Sequence, residues 1–293
     1  MVYTSYISLT GNTPMVWLRR FSPKNGGQIY GKIEWLNPGG SIKDRIAVSM
    51  FESAIHSGTL KPGEHLVEAT SGNTGVALAM VGAYYGVKVT IVMPESASRE
   101  KLKAIETFGA SVILTPKEEG TAGAIRVKES MLKGGTFVSL DQFSNMENPN
   151  AHSRGTAMEI LKQVNGRLDV LVAGIGTGGT ITGCSRALKG YNNAIRIVGV
   201  APERDVSVPG LRYPHDDMPS RVLDTSAVDE IHWISRDEAE KLEGVMVEVA
   251  RSEGMLVGWS SAAVLLVSRM LASTMSSDST IVAVLPDSGF RYL

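Results

Sequence analysis

The sequence predicts an α/β protein built as two doubly wound domains with mainly parallel sheets. Short β-branched runs recur along the chain, and segments with helical spacing separate most of them. That is the pattern of strands buried on both faces and joined by crossover helices. A chain of 293 residues has room for one large or two ordinary domains. The polar, proline-containing stretch Ser144-Asn145-Met146-Glu147-Asn148-Pro149-Asn150 offers a boundary. The expected division is a smaller N-terminal domain of residues 37–146 and a larger one of residues 1–36 plus 147–293.

In chain order, Gly11-Asn12-Thr13-Pro14 is a turn before a short apolar run from Met15 to Leu18. Residues 28–35 alternate like a strand and lead into Asn37-Pro38-Gly39-Gly40-Ser41-Ile42-Lys43-Asp44-Arg45, a loop signal followed by helical spacing. Further strands are expected at 65–70, 88–93, 111–115, 136–140, 168–174, 195–201, 230–234 and 280–285. Helical periodicity marks 76–85, 98–108 and 237–251. In such folds ligands sit at the carboxyl ends of the strands, so the loops there hold the candidate site.

Composition narrows the functions. Hydrophobic residues make up 43% and charged residues 20%, a soluble globular balance. A net charge of −1, with no block of like charge, argues against nucleic acid or an anionic membrane as partner. The only cysteine, Cys184, excludes an intrachain disulfide, and the scattered histidines have no ligand spacing, so no metal site is expected. The N-terminus lacks a basic and apolar leader, and no stretch reaches transmembrane length. A cytoplasmic protein is expected.

Lys43 falls in the first turn of its helix, where the partial positive charge of the terminus disfavours a cation. With Arg45 two residues away, it is a candidate for a depressed pKa, and a neutral amine is what a Schiff-base lysine must offer. For a lone lysine the plainer alternative is a solvated side chain. Thr70-Ser71-Gly72-Asn73-Thr74-Gly75 follows a strand and opens a helix, with small residues, hydroxyls and free N–H groups suited to a carboxylate. Gly174-Ile175-Gly176-Thr177-Gly178-Gly179-Thr180 does the same and is the strongest anion-site signal, suited to a phosphate. It also contains a literal G-x-G-x-x-G with Glu203 after the next strand, which keeps a dinucleotide-binding alternative open. Gly258-Trp259-Ser260-Ser261 opens another helix, by itself an ordinary serine cap. Arg212 sits in a Pro/Gly-rich loop, and Cys184 reads as core packing.

Together and in this order, these pieces resemble the cysteine synthase family (O-acetylserine sulfhydrylases) of fold-type II pyridoxal-phosphate enzymes, whose fold is similar to that of the tryptophan synthase β chain. The likeness is to the cysteine synthase B branch. It runs from Gly11-Asn12-Thr13-Pro14 to Arg291-Tyr292-Leu293 and includes Asp141-Gln142-Phe143. The resemblance implies that Lys43 holds pyridoxal 5′-phosphate as a Schiff base and later acts as base at the substrate α-carbon. It implies that Asn73 bonds the cofactor's phenolic oxygen, that Gly176, Thr177, Gly178, Gly179 and Thr180 hold its phosphate, and that Ser260 faces the pyridine nitrogen. Thr70, Ser71, Gly72, Asn73, Thr74 and Gln142 would line the substrate carboxylate site in the smaller domain, and the phosphate loop would belong to the larger one. A homodimer is implied as well.

A neutral serine at the ring nitrogen makes the ring a weaker electron sink than a carboxylate would. That favours expulsion of a β-leaving group from an activated serine, giving an aminoacrylate open to a sulfur nucleophile. The implied activity is a cysteine synthase: sulfide or thiosulfate replaces the substituent of O-acetylserine or O-phosphoserine, giving L-cysteine or S-sulfocysteine. Alternatives are a cystathionine or diaminopropionate synthase, or a non-catalytic binding protein with this fold. Arg212 stands where the B branch has an arginine, and its guanidinium fork suits a phosphate or thiosulfate oxyanion. The chain departs from the family at Ala262, usually glycine, and before Glu159, where Thr-Gly-Pro is absent.

Overall fold

The computed structural model describes every residue except Met1, Ser71, Asp217 and Met218. Its strands are β1 (Met15–Trp17), β2 (Gln28–Ile33), β3 (His65–Ala69), β4 (Lys88–Pro94), β5 (Ser111–Thr115), β6 (Phe137–Val138), β7 (Val170–Gly174), β8 (Arg196–Pro202), β9 (Glu230–Ile234) and β10 (Thr280–Leu285). They form a six-stranded sheet, in the order β1-β2-β10-β7-β8-β9, and a four-stranded sheet, β5-β4-β3-β6. Only the β1–β2 pair is antiparallel; every other pairing among these strands is parallel.

The α-helices are α1 (Lys43–His56), α2 (Asn73–Tyr85), α3 (Arg99–Thr107), α4 (Gly120–Lys133), α5 (Glu147–Ala151), α6 (Ala157–Gln163), α7 (Gly179–Tyr191), α8 (Arg236–Glu253) and α9 (Trp259–Ala272). Each sheet is covered on both faces. Val172, Val198 and Ile281 of the larger sheet pack with Leu242 and Val249 of α8 and Val264 of α9. Its opposite face, through Leu171, Ile197 and Val282, meets Ile160 of α6 and Ile181 and Leu188 of α7. Leu66, Val89 and Ile91 of the smaller sheet pack against Ile46 and Met50 of α1 and Val76 and Leu78 of α2. Residues 76–82 of α2 are buried on every side, which explains why an almost wholly apolar helix is stable there. The α8 start is fixed by a capping box in which the Ser235 hydroxyl accepts from the Glu238 N–H and the Glu238 carboxylate accepts from the Ser235 N–H. Among the described residues, no helix is long and apolar enough to cross a membrane.

The expected strands form within a few residues of their predicted bounds, and the exceptions have causes. The strand expected at 28–35 stops at Ile33 and turns into a 3₁₀ helix, Glu34–Leu36. Glu34 leaves the sheet to bind Arg45, and the Asn37 amide donates to the Glu34 carbonyl at 2.8 Å. The strand expected at 136–140 is reduced to Phe137–Val138. The buried Glu68 carboxylate accepts from the Ser139 hydroxyl at 2.8 Å and the Asp141 N–H at 2.9 Å, pulling the chain out of register with β3.

Candidate functional site

Loops leaving the carboxyl ends of the parallel strands β2, β3, β6, β7 and β8, and the start of α9, carry the candidate residues. The first of these loops places Lys43 as the opening residue of α1. The loop is clamped at both ends: the Ile42 N–H donates to the Pro286 carbonyl at 2.9 Å, and the Gly39 N–H donates to the Asp44 carboxylate at 2.6 Å. Burial lowers the Lys43 amine from 10.5 to about 8, while the negative charge of Asp287 opposes that shift. The depression expected from sequence is thus present, but burial is its cause. Arg45 is turned away into a buried network with Glu34 and Glu159, which Lys32 joins through Glu159 at 2.7 Å.

The loop after β3 places Thr70 and Thr74 in the interior and Gly72 and Asn73 at its edge. Ser71 lies outside the described residues. The Thr70 hydroxyl accepts from the Gly72 N–H at 3.2 Å, and the Thr74 hydroxyl donates to the Gln142 side-chain oxygen at 2.8 Å. Gln142 is thereby brought to this loop with its amide nitrogen left as a donor. Asn73 is engaged at both ends of its amide. Nδ2 donates to Asp287 Oδ2 at 2.7 Å, and Oδ1 accepts from Arg291 Nη1 at 3.0 Å.

After β7, Gly178 adopts φ +87°, and a Cβ there would stand 2.5 Å from Leu223. At Gly179 a Cβ would overlap the Asn148 side-chain oxygen at 1.8 Å, so both positions need glycine. Among the described residues the N–H groups of Gly176, Thr177 and Gly178 have no hydrogen-bond partner, and they precede the first turn of α7. Such a row of free donors at a helix terminus fits a phosphate. Thr177 accepts from the Asn148 amide at 3.0 Å, and the same amide donates to the Gln142 carbonyl at 2.7 Å. Thr180 is tied at 3.2 Å to Nε2 of His152, which lies in a π-helical turn, His152–Thr156. Burial first, then the positive charges of Arg45 and Lys43, hold His152 well below the usual imidazole range, so it is neutral.

Ser260, in the first turn of α9, is 2% exposed, and its hydroxyl has no partner among the described residues. It lies against the Gly210 turn, which also backs onto Gly176: ideal Cβ atoms at these glycines would meet Ser260 Oγ at 3.1 Å and the Gly210 carbonyl at 3.0 Å. A buried serine whose hydroxyl has no partner among the described residues, beside a phosphate cradle, together with an amine of lowered pKa, is a donor set suited to pyridoxal phosphate. The residues present fit that group.

Arg212 is engaged with a carboxylate of its own loop. Its Nη2 donates to Asp216 Oδ1 at 2.7 Å, its Nε donates to Oδ2, and its guanidinium lies 4.8 Å from the Phe143 ring centroid. Both residues line a cavity of about 290 Å³ shared with Arg204 and Tyr213. Cys184 is buried in the core, and burial raises its thiol to about 12, so it is inert as a nucleophile. Glu203, the ribose-binding acid of the dinucleotide alternative, is exposed.

Sequence reasoning missed Asn148, His152, Asp287 and Arg291 as parts of the site. Asn148 was legible only as part of an Asn-Pro turn signal. Asp287 was visible as an acid directly after the apolar run 280–285.

A family model described as pyridoxal-phosphate dependent enzyme matches residues 7–287. The chain is 42% identical to cysteine synthase B of Salmonella typhimurium over 284 residues, covering 97% of this chain and 92% of the relative. Among solved structures, O-ureido-L-serine synthase matches with a TM-score of 0.94 at 33% identity, covering 100% of this chain and 94% of the other. A cysteine synthase from Entamoeba histolytica matches with a TM-score of 0.92 at 33% identity, covering 100% and 89%.

Proposed function

Because the chain belongs to the family of pyridoxal-phosphate-dependent enzymes and is closely related to cysteine synthase B, we propose that it makes L-cysteine from O-acetyl-L-serine and sulfide. The chemistry of the family is pyridoxal-phosphate-dependent β-replacement on an activated serine. The observation that supports this reading best is a half-buried lysine of lowered pKa at the start of α1, among loops that present a phosphate cradle and an unpartnered serine.

In this reading Lys43 would hold the cofactor and, when free, would serve as the base that takes the proton from the substrate α-carbon. The lowered pKa, about 8, brings the amine closer to the neutral form that a base needs at neutral pH. The N–H groups of Gly176, Thr177, Gly178 and Gly179 and the Thr180 hydroxyl bind the phosphate. Thr70, Ser71, Gly72, Asn73, Thr74 and Gln142 orient the substrate carboxylate. Pyridoxal phosphate, when bound, supplies an electron sink for the α-carbon. Ser260 would offer its ring nitrogen a neutral hydroxyl, which would limit that sink and favour loss of the β-substituent. Asp216 already occupies the Arg212 fork, so a phosphate ester or thiosulfate must displace it, a handicap that an acetyl ester and sulfide do not meet. The reading extends to a homodimer in the cytoplasm, with domains of residues 37–146 and of residues 1–36 plus 147–293.

The test is to load the purified protein with pyridoxal phosphate and supply O-acetylserine or O-phosphoserine with sulfide or thiosulfate. Products are identified by mass spectrometry. L-cysteine formed fastest from O-acetylserine and sulfide is the expected result. No sulfur amino acid from any pair would reject the reading, and S-sulfocysteine as the main product would move it to thiosulfate.

A further inference from the structure

Asp287 stands just beyond β10, 1% exposed, and touches several parts of the site. Its Oδ2 accepts from Asn73 Nδ2 and from the Tyr292 hydroxyl, each at 2.7 Å. Its Oδ1 is buried without a hydrogen-bond partner among the described residues. That oxygen lies against Gly258, the residue that opens α9: a Cβ at Gly258 would stand 2.1 Å from it. Its backbone is fixed independently of the side chain, by a bridge to Ser41 and by the Gly258 N–H donating to the Asp287 carbonyl at 3.1 Å. The C-terminal segment adds Arg291, which donates to Asn73 Oδ1 at 3.0 Å and to the Gly39 carbonyl in the Lys43 loop.

The Asn73 amide is therefore gripped by opposite chemistries, a carboxylate at its nitrogen and a guanidinium at its oxygen. Rotating the amide by half a turn would set oxygen against carboxylate and NH₂ against guanidinium, so both contacts would turn repulsive. In the orientation that these two partners enforce, Nδ2 spends one hydrogen on Asp287 and retains the other. The Asp287 charge also acts on Lys43, where it works against the burial that lowers the amine.

We propose that Asp287 is a positioning residue of the cofactor site, fixing the Asn73 amide so that its second N–H serves the cofactor's phenolic oxygen. The inference rests on the reading above, in which Asn73 and Lys43 face pyridoxal phosphate. It makes the segment from Asp287 to Tyr292 part of the active site instead of a mere edge of the fold. A neutral amide at this position could still offer one oxygen to both Asn73 and Tyr292, as Oδ2 does, but without the charge that strengthens both bonds, so its hold on the Asn73 amide would weaken.

The test compares holoenzymes of the wild type, Asp287→Asn and Gly258→Ala. Asp287→Asn removes the charge at nearly constant shape, whereas Gly258→Ala keeps the charge and displaces the carboxylate. Three quantities are read: the visible absorbance band of the bound cofactor, the cofactor dissociation constant and the thermal midpoint. The expected result is a displaced absorbance band in both variants and cofactor binding weakened about tenfold, the effect of one hydrogen bond to a charged group. A wild-type band with wild-type cofactor affinity in Asp287→Asn, at any thermal midpoint, overturns the proposal and leaves Asp287 structural. Mapping the borohydride-fixed cofactor separates the two levels. Label on Lys43 with an undisturbed band refutes only the role of Asp287, whereas label on another lysine removes the reading on which it rests.

Discussion

The Arg212–Asp216 pair sets a quantitative expectation for substrate choice. Asp216→Asn removes the carboxylate from the guanidinium fork, and Arg212→Ala removes the fork itself. The two side chains are 20% and 34% exposed and lie four residues apart. A pair so exposed contributes about 0.2–1 kcal/mol. A hydrogen bond from the guanidinium to a substrate phosphate is worth about 1.5–3 kcal/mol. The phosphate therefore wins the competition, and Asp216 only handicaps an anionic substrate. Asp216→Asn should raise kcat/KM for O-phosphoserine about fivefold at most. Arg212→Ala should lower it about tenfold to a hundredfold. The readout is the ratio of kcat/KM for O-phosphoserine to that for O-acetylserine, with sulfide held constant. The reasoning is refuted if both variants change the two efficiencies in equal proportion, for Arg212 would then act through its packing on Phe143.

Other residues give further expectations. Ser260→Ala should slow β-replacement only a few-fold, because the hydroxyl is a weak partner for a ring nitrogen, while Ser260→Asp should slow it more by holding that nitrogen protonated; a faster Ser260→Asp enzyme in steady-state assays would contradict the electron-sink argument. Gly178→Ala should weaken cofactor binding in equilibrium dialysis, since its Cβ would sit 2.5 Å from Leu223 at a φ of +87°; unchanged affinity would mean that the loop is not the phosphate cradle. Burial pushes the Glu159 carboxyl up, but hydrogen bonds and charge from Arg45 and Lys32 outweigh it and hold the group at about 2 against an ordinary 4.5. Its stabilisation is therefore present above pH 4.5 and lost as pH falls through about 2, which corresponds to about 3 kcal/mol at neutral pH. Glu159→Gln should lose that amount in urea titrations at pH 7, and the gap to wild type should narrow in acid; a gap independent of pH would show that the carboxylate's charge contributes little.

The fold was legible because its signals are local. The buried strands announce themselves as short β-branched runs, and the loops around Lys43, Asn73 and Gly178 as glycine and hydroxyl clusters between strand and helix. What escaped depends on residues far apart in the chain. The network of Glu34, Arg45 and Glu159 that turns Arg45 away from Lys43 joins three separate segments, and it also ends β2 early. Asn148, which ties the Gln142 loop to Thr177, looked only like a turn residue. Asp287 and Arg291 acquire their meaning from Asn73, more than two hundred positions earlier. The Asp216 partner of Arg212 was within reach, since it sits four residues on in the same polar loop, but no regular periodicity marked it.

The most direct test of the central claim is to reduce the cofactor-loaded protein with borohydride and map the labelled peptide. The account predicts a pyridoxyl group fixed on Lys43 and no label in Lys43→Ala. Label on any other lysine of the wild type, or none at all, would contradict it.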